Sequence, residues 1–492
     1  MKRNKRIVIK PADKNLGLVV LDAPMYRDMC LSHLVDTNTY TAVPSYNPSD
    51  SYFSLRRILL NHGQLYKQNH SSTTEPSLTK LAASLLQLEN RKELRIPPFY
   101  CIPKLHKGKK NPLPSRPIIS APSSVTYHTS CYLSNELLPI VEKLSTVCTS
   151  SRQVIRDLHS LEVPDDHIIL CADVTSLYPS IPIDFGLNAV RQILLRHNSF
   201  SPKRIDFLLS LLSWVLHNNY CTFNGTIYLQ IKGTAMGTPV AVAYANIVLY
   251  FIETPILSSL EYSLYRRYID DMFAALSRSH AIEFVQRFNA TNPSIQLEAV
   301  TYELSGIFLD LDVSLVPSSN AGYFVFKHTL YQKPSNKYQY IPPLSNHRPH
   351  VFFNFILQVL KRYRLACTDV SSFEHLVVLF RDRLQRRGYT PQMLSTALRI
   401  LPSRQELLDR LLNPPPTHAK PTPPIVVLNL PTLRPNPNWR TVFRLPITIT
   451  DLPEFKQAYG ESNIVIGHCN APSVARYITS SNYSTNNSIP SI

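Results

Sequence analysis

Asp173, Asp270 and Asp271 are the residues whose type and placement point most directly to chemistry. Asp173 closes H-I-I-L-C-A-D-V, a nearly continuous apolar run of the kind a central strand buried on both faces would have. Asp270-Asp271 stand between Y-S-L-Y-R-R-Y and M-F-A-A-L, two strand-like runs that put the pair at a hairpin tip. Three carboxylates from separate strand ends suit a pair of divalent ions. Ions ~3.5–4 Å apart must share oxygen ligands, and Mg2+ prefers carboxylate and phosphate oxygen. Neighbouring side chains in a strand point to opposite faces, so Asp270 is expected to bridge the ions and Asp271 to support. Most Asp-Asp pairs are solvated turns, and Asp165-Asp166, after a proline in a polar loop, reads as one. The apolar flanks of Asp270-Asp271 argue otherwise, because they would not hold two acids without a cation to offset them.

The elements that must position these acids follow from periodicity and turn chemistry. Residues 6–22 read as two strands around P-A-D-K-N, and Phe99 to Ala121 as strand, basic Pro-rich turn and strand. Helical patterns cover 52–68, 76–90, 126–147, 184–197 and 202–218. Asn224-Gly225 splits 220–232 into a hairpin. Residues 239–253 are apolar on nearly every side, as a buried helix would be. A further hairpin is expected over 307–330, turning at Ser318-Ser319-Asn320, followed by a basic helical stretch to about Leu412. The Pro-rich stretch 414–424 reads as a linker. Beyond it lie short strand-like pieces, one weak helix and a Ser/Asn-rich tail expected to fray.

Length and composition narrow the setting. The 492 residues allow about three lobes, and an apolar fraction of 44% excludes wholesale disorder. A net charge of +17 argues for a polyanionic partner, of which nucleic acid is the commonest. The eight cysteines are scattered without a C-x-x-C, which speaks against a disulfide framework or structural zinc and fits a reducing compartment. The longest apolar run, near 239–252, falls short of the ~20 residues that span a bilayer. The start M-K-R-N-K-R lacks the apolar stretch of a signal peptide, so a secreted or membrane-spanning protein is not expected.

D-V-T-S-L-Y-P-S-I-P, Q-I-K-G-T-A-M-G-T-P-V-A-V-A-Y-A-N, Y-R-R-Y-I-D-D and G-I-F-L-D-L-D-V occur in the order of the palm motifs of a reverse transcriptase, which they resemble. K-P-A-D-K-N-L-G-L-V-V-L-D, F-Y-C-I-P-K-L-H-K, R-P-I-I-S, L-Y-Q-K-P-S-N-K-Y and S-N-H-R-P-H narrow the resemblance to Penelope-like retroelement reverse transcriptases, relatives of telomerase. It covers residues 6–400, and weakly reaches N-I-V-I-G-H-C-N. Thr238 and V-A-V depart mildly from the family's M-G-S-P with a following proline. The GIY-YIG endonuclease of many such elements has no counterpart here. The chain is therefore expected to be a fragment of a longer element or a member of an endonuclease-lacking branch.

The resemblance implies an α+β right-hand polymerase. Fingers would cover 1–165, an antiparallel-sheet palm packed on helices 166–345, a helical thumb 346–413 and a thumb extension 425–492. It implies an RNA-directed DNA polymerase extending a DNA primer on an RNA template with deoxynucleoside triphosphates. Two Mg2+ ions, with Mn2+ able to substitute, would be held by Asp173, Asp270 and Asp271. Tyr178, five residues after Asp173, would pack under the sugar and exclude a ribose 2′-hydroxyl. Gln230, Gly233, Met236 and Gly237 would line the nucleotide, the glycines letting backbone approach it. Arg116 and Lys104 would clamp the triphosphate. Lys107, Asn246, Lys333, Arg362, Arg364 and Arg387 would meet nucleic acid, although charge runs such as that around Lys107 are often only solvated. Asn246 would also order its motif. Asp310 and Asp312 would be structural parts of a primer-grip hairpin, and Lys10, Asp13 and Lys14 part of the fingers or a template contact.

Three rival readings remain: a catalytically silent RNA-binding scaffold, a polymerase making RNA, and a two-metal nuclease. The intact acid trio weighs against the first, Tyr178 against the second, and the basic block with its glycine loop against the third. Work in the nucleus is expected from the family.

Overall fold

The computed structural model describes residues 6–69, 78–79, 81–85, 94–108, 112–122, 124–197, 200–345, 347–414, 425–431 and 463–469. The Pro-rich linker, the weak terminal helix, the tail and part of the helix expected over 76–90 lie outside them. The chain divides into two compact units. The first runs to Lys327 and resumes over Tyr331–Asn336; the second takes His328–Leu330 and the chain from Lys337.

The first unit begins with an antiparallel pair, Ile7–Pro11 (β1) and Leu18–Asp22 (β2). Between them Lys14 adopts the left-handed conformation, φ 59° and ψ 35°. Tyr40–Val43 (β3) precedes a second hairpin of Phe99–Pro103 (β4) and Ser115–Ile119 (β5). Then come Glu162–Pro164 (β6) and His167–Val174 (β7). Tyr220–Phe223 (β8) and Thr226–Gln230 (β9) pair across Asn224-Gly225, with β3 on the other edge of β9. Asn224 and Gly225 have φ of 50° and 83°, as the Asn-Gly signal requires.

The central sheet is antiparallel throughout. Leu264–Tyr268 (β10), Asp271–Ser277 (β11) and Leu297–Glu303 (β12) flank β7 in the order β10-β11-β7-β12. Alternation decides what each face meets. Ile168, Leu170, Ala172 and Val174 of β7, with Met272, Ala274 and Leu276 of β11, join the core that contains the helix Ala241–Leu257. That helix is buried around most of its circumference, packed by helices Tyr127–Val141, Ile183–Arg196 and Arg278–Thr291. This explains a sequence that is apolar on every side.

The opposite face of β7 carries Ile169, Cys171 and Asp173, and it is covered in turn by Ser305–Phe308 (β13) and Leu311–Pro317 (β14). The close approach falls at Gly306, where a Cβ would lie 2.6 Å from Cys171 Sγ, and Phe308 stacks on Phe273 at 5.3 Å. Cover on both faces is why β7 reads as an apolar run. The single hairpin expected over 307–330 is a meander instead: β13, β14 and Tyr323–Leu330 (β15), with β6 outermost. Its extra turn is Leu309-Asp310, where Leu309 has φ 58°. No glycine or proline marks that turn in the sequence.

The second unit is mainly helical, with helices Pro349–Ala366, Val370–Arg386, Pro391–Arg399 and Arg404–Leu412. Asp369 caps the second through Ser372 N–H, and Ser403 with Glu406 forms a capping box on the last. Tyr340, Phe355, Phe380, Tyr363 and Tyr389 make its aromatic core. Ile425–Pro431 (β16) and Asn463–Cys469 (β17), which holds I-V-I-G-H-C, pair in parallel. Among the described residues no helix is long and apolar enough to cross a membrane.

Candidate active site

Asp173, Asp270 and Asp271 come together, each offering an oxygen within 4.8 Å of the others. Sheet register does most of this. Met272 pairs with Ala172 in antiparallel register, so the next step sets Asp271 opposite Asp173, on the face shared by Cys171 and Phe273. Asp270 and Asp271 do not lie on opposite faces of one strand as expected, because Asp270 is not in a strand. It sits in the two-residue turn between β10 and β11, after Ile269 at φ 58°. The left-handed turn carries its carboxylate round to the other two.

Glu298 pairs with Asp173 from the other side, so three acids line up across β11, β7 and β12. Burial, then the charges of Asp270, Asp271 and Glu298, push Asp173 up to about 6. Asp271 is also raised, by desolvation and then by Asp270, while Lys333 and Lys14 draw it back. Asp173 Oδ1 is buried with no hydrogen-bond partner. An all-oxygen cluster with mutually repelling carboxylates and an orphaned buried oxygen fits a hard divalent cation.

The residue that sequence reasoning passed over is Arg267. It is fully buried and bonds Glu253, also fully buried, through Nε at 2.7 Å. One terminal nitrogen donates to Asn246 Oδ1 at 2.7 Å and to the Ile269 carbonyl at 2.8 Å. The other donates to the Asn246 carbonyl at 3.0 Å and to Glu253 at 3.2 Å. The signal was an arginine at an inward position of a strand otherwise ending in core. Asn246, expected at nucleic acid, is buried and occupied by this arginine; its expected part in ordering the motif has a physical basis.

The basic residues of the β4–β5 hairpin gather with the β1–β2 turn. Asp13 Oδ1 lies 3.4 Å from Arg116 Nε. Burial and the charges of Arg116 and Lys107 lower Lys104, which marks a concentrated positive field. Lys107 is exposed. Tyr178 is half-buried, its hydroxyl pushed up by burial and then by Asp270, with Arg116 opposing. The acids, the tyrosine and the arginine are therefore electrostatic neighbours.

The glycines serve the protein's own packing. A Cβ on Gly233 (φ 70°) would lie 2.2 Å from the Tyr178 carbonyl, which accepts from Thr234 N–H at 2.9 Å. A Cβ on Gly237 (φ 117°) would lie 2.4 Å from the Ile119 carbonyl, and Ile119 N–H donates to Met236 O at 3.0 Å. The loop is thus wedged between Tyr178 and β5. Gln230, expected at the nucleotide, is buried and donates to the Lys232 carbonyl at 2.8 Å, shaping the loop. Met236 is half-buried and Gly237 exposed.

Lys333 is exposed in the first unit. Asp310, expected to be structural, accepts from the Ser151 hydroxyl. In the helical unit Arg362 is exposed, but Arg364 and Arg387 are turned to the protein. Arg364 lies over Phe373 at 3.6 Å, and Arg387 Nε donates to the Tyr340 carbonyl at 2.9 Å. Those two do not make the exposed basic face expected of them.

No family model and no curated protein matches the chain. Solved structures do. Telomerase from Candida albicans, in complex with a TWJ fragment of telomeric RNA, aligns at TM-score 0.53 and 10% identity, covering 82% of this chain and 68% of its own. Apo telomerase from Candida tropicalis gives 0.44 at 10% identity, covering 82% and 71%. The RNA-dependent RNA polymerase of a human picobirnavirus, as an insertion-loop deletion mutant, gives 0.42 at 12% identity, covering 62% and 59%. The chain has a reverse-transcriptase-like, right-hand polymerase fold.

Proposed function

We propose that this chain is an RNA-directed DNA polymerase of a Penelope-like retrotransposable element, extending a DNA primer on an RNA template in the nucleus. The observation that carries the reading is the three-carboxylate cluster on a polymerase-type sheet, with an orphaned buried oxygen on Asp173. Asp173, Asp270 and Asp271 would hold two Mg2+, with Mn2+ able to replace them. When bound, such ions stabilise charge on the attacking and leaving oxygens of nucleotidyl transfer.

The chain's own residues do the rest. Arg116 and Lys104 bind the triphosphate of the incoming deoxynucleotide, with Asp13 fixing the arginine. Holding the α-phosphate in line with the primer 3′-hydroxyl converts the encounter into a unimolecular displacement, in which the hydroxyl gives up its proton to solvent, its oxygen bonds phosphorus, and the bond to pyrophosphate breaks. The Tyr178 ring occupies the space under the sugar and excludes a ribose 2′-hydroxyl.

Primer extension tests this, with an RNA template, oligo-DNA primer, Mg2+ and deoxynucleotides. Extension is expected from the wild type and should collapse in Asp270→Asn. Tyr178→Ala should then incorporate ribonucleotides. Salt-sensitive RNA binding without extension, indifferent to Asp270→Asn, would turn the assignment toward an RNA-binding scaffold.

A further inference from the structure

We propose that Arg267 is a positioning residue that sets the divalent-cation affinity of the aspartate cluster, by clamping the Ile269-Asp270 turn from the buried side through Glu253 and Asn246. The inference rests on the cluster being a metal site. All five guanidinium donors are used, and one ends on the carbonyl next to Asp270. A lysine, with three donors and no planar fork, could not reproduce this.

Stability alone does not account for the arrangement, since a buried ion pair is commonly replaceable by apolar side chains of similar volume without loss. The turn, however, needs an external hold. Ile269 is β-branched and sits at φ 58°, a conformation such residues avoid. The meander turn at Leu309 (φ 58°) has the same form and is held differently, by Ser151 on the Asp310 carboxylate and by Tyr331 N–H on the Asp310 carbonyl at 2.8 Å. At Ile269 the hold is Arg267, leaving the neighbouring carboxylate available to a cation.

The clamp is itself fixed. Glu253 accepts from the Thr146 hydroxyl and from Tyr265 Oη at 2.9 Å. The Arg267 backbone is pinned on both sides, its N–H to Thr146 O at 2.8 Å and its carbonyl to Cys148 N–H at 2.9 Å. A shift of the turn moves Asp270 away from two acids that the sheet holds in place.

The test measures Mn2+ binding to the full chain without nucleic acid, by electron paramagnetic resonance. Arg267→Lys and Asn246→Ala are compared with wild type; the second keeps the Arg267–Glu253 pair and guards against a folding failure in the first. Glu136→Gln, which removes the charge from the Arg204–Glu136 pair (2.9 Å), a pair that shares no partner with Arg267, is the control for general destabilisation. Both clamp variants are expected to bind Mn2+ about tenfold more weakly, the scale of losses when an outer-shell partner of a metal ligand is removed. The Mg2+ requirement for extension should rise in parallel, with rescue at high Mg2+. A folded Asn246→Ala with unchanged Mn2+ affinity, or an equal loss in Glu136→Gln, would overturn the inference. Weakened Mn2+ binding in a chain that extends no primer would keep the clamp and remove the polymerase; a wild type that binds no Mn2+ would remove both.

Discussion

Replacing Asp173 by asparagine should make the metal-free protein more stable while abolishing extension. The carboxyl is held at about 6 by burial and by Asp270, Asp271 and Glu298, against a reference near 3.9. A gap of roughly two units corresponds to about 3 kcal/mol between protonation states. The side chain is only partly withdrawn from water, so screening reduces this to about 1–2 kcal/mol. The sign follows from linkage. The folded state binds the proton more tightly than the unfolded chain, so the stability it confers is complete below about pH 4 and is lost as pH rises through about 6. Asparagine carries no such penalty. Its advantage should therefore be full at pH 7.5 and shrink to about a third near pH 4.5.

Urea unfolding in chelator at the two pH values measures this, from midpoints at constant slope. In millimolar Mg2+ the wild type should gain stability that the variant cannot, closing or reversing the gap. An Asp173→Asn protein less stable than wild type at pH 7.5, or an advantage independent of pH, would refute the electrostatic account of the cluster.

Glu253→Leu strands a fully buried guanidinium and should cost about 3–5 kcal/mol, read as a fall in thermal midpoint. Gly233→Ala and Gly225→Ala separate strain from collision. Gly225 has a positive φ and open space, so alanine should cost only about 1–2 kcal/mol; Gly233 adds the clash with the Tyr178 carbonyl and should cost clearly more in urea midpoints. In the helical unit, Arg362→Ala should reduce the salt dependence of nucleic-acid binding by about one ion, whereas Arg364→Ala should leave the salt slope alone and lower the melting temperature.

The sequence carried the central strand, the Asn-Gly hairpin, the buried helix and the meeting of three aspartates, because each depends on local pattern: an apolar run, a turn dipeptide, acids at strand ends. It did not carry what depends on register or depth. The shared face of Asp173 and Asp271 follows from which residues pair across β7 and β11, and Glu298 entered through pairing with β12. Leu309-Asp310 was missed because a left-handed leucine has no sequence signature. Asn246, Arg364 and Arg387 were read by type, as polar groups facing nucleic acid, and Arg267 only as part of the motif around Asp270-Asp271. Whether such a group faces in or out is settled by partners on other elements, such as Glu253 for Arg267 and Phe373 for Arg364.

The loop from Gly233 to Gly237 has a mechanical consequence. It is bonded at one end to the carbonyl of Tyr178 and at the other to β5, the strand of Arg116, and both contacts are too close for a side chain. Such a wedge would transmit displacement instead of absorbing it. With Arg116 as the proposed triphosphate anchor and Tyr178 as the proposed sugar gate, a pull on β5 by an arriving phosphate would reach the tyrosine backbone through a few short contacts. Grip and selection of the sugar would then be strokes of one lever, and loosening the loop would blunt the choice between deoxyribose and ribose without altering any group that touches the nucleotide.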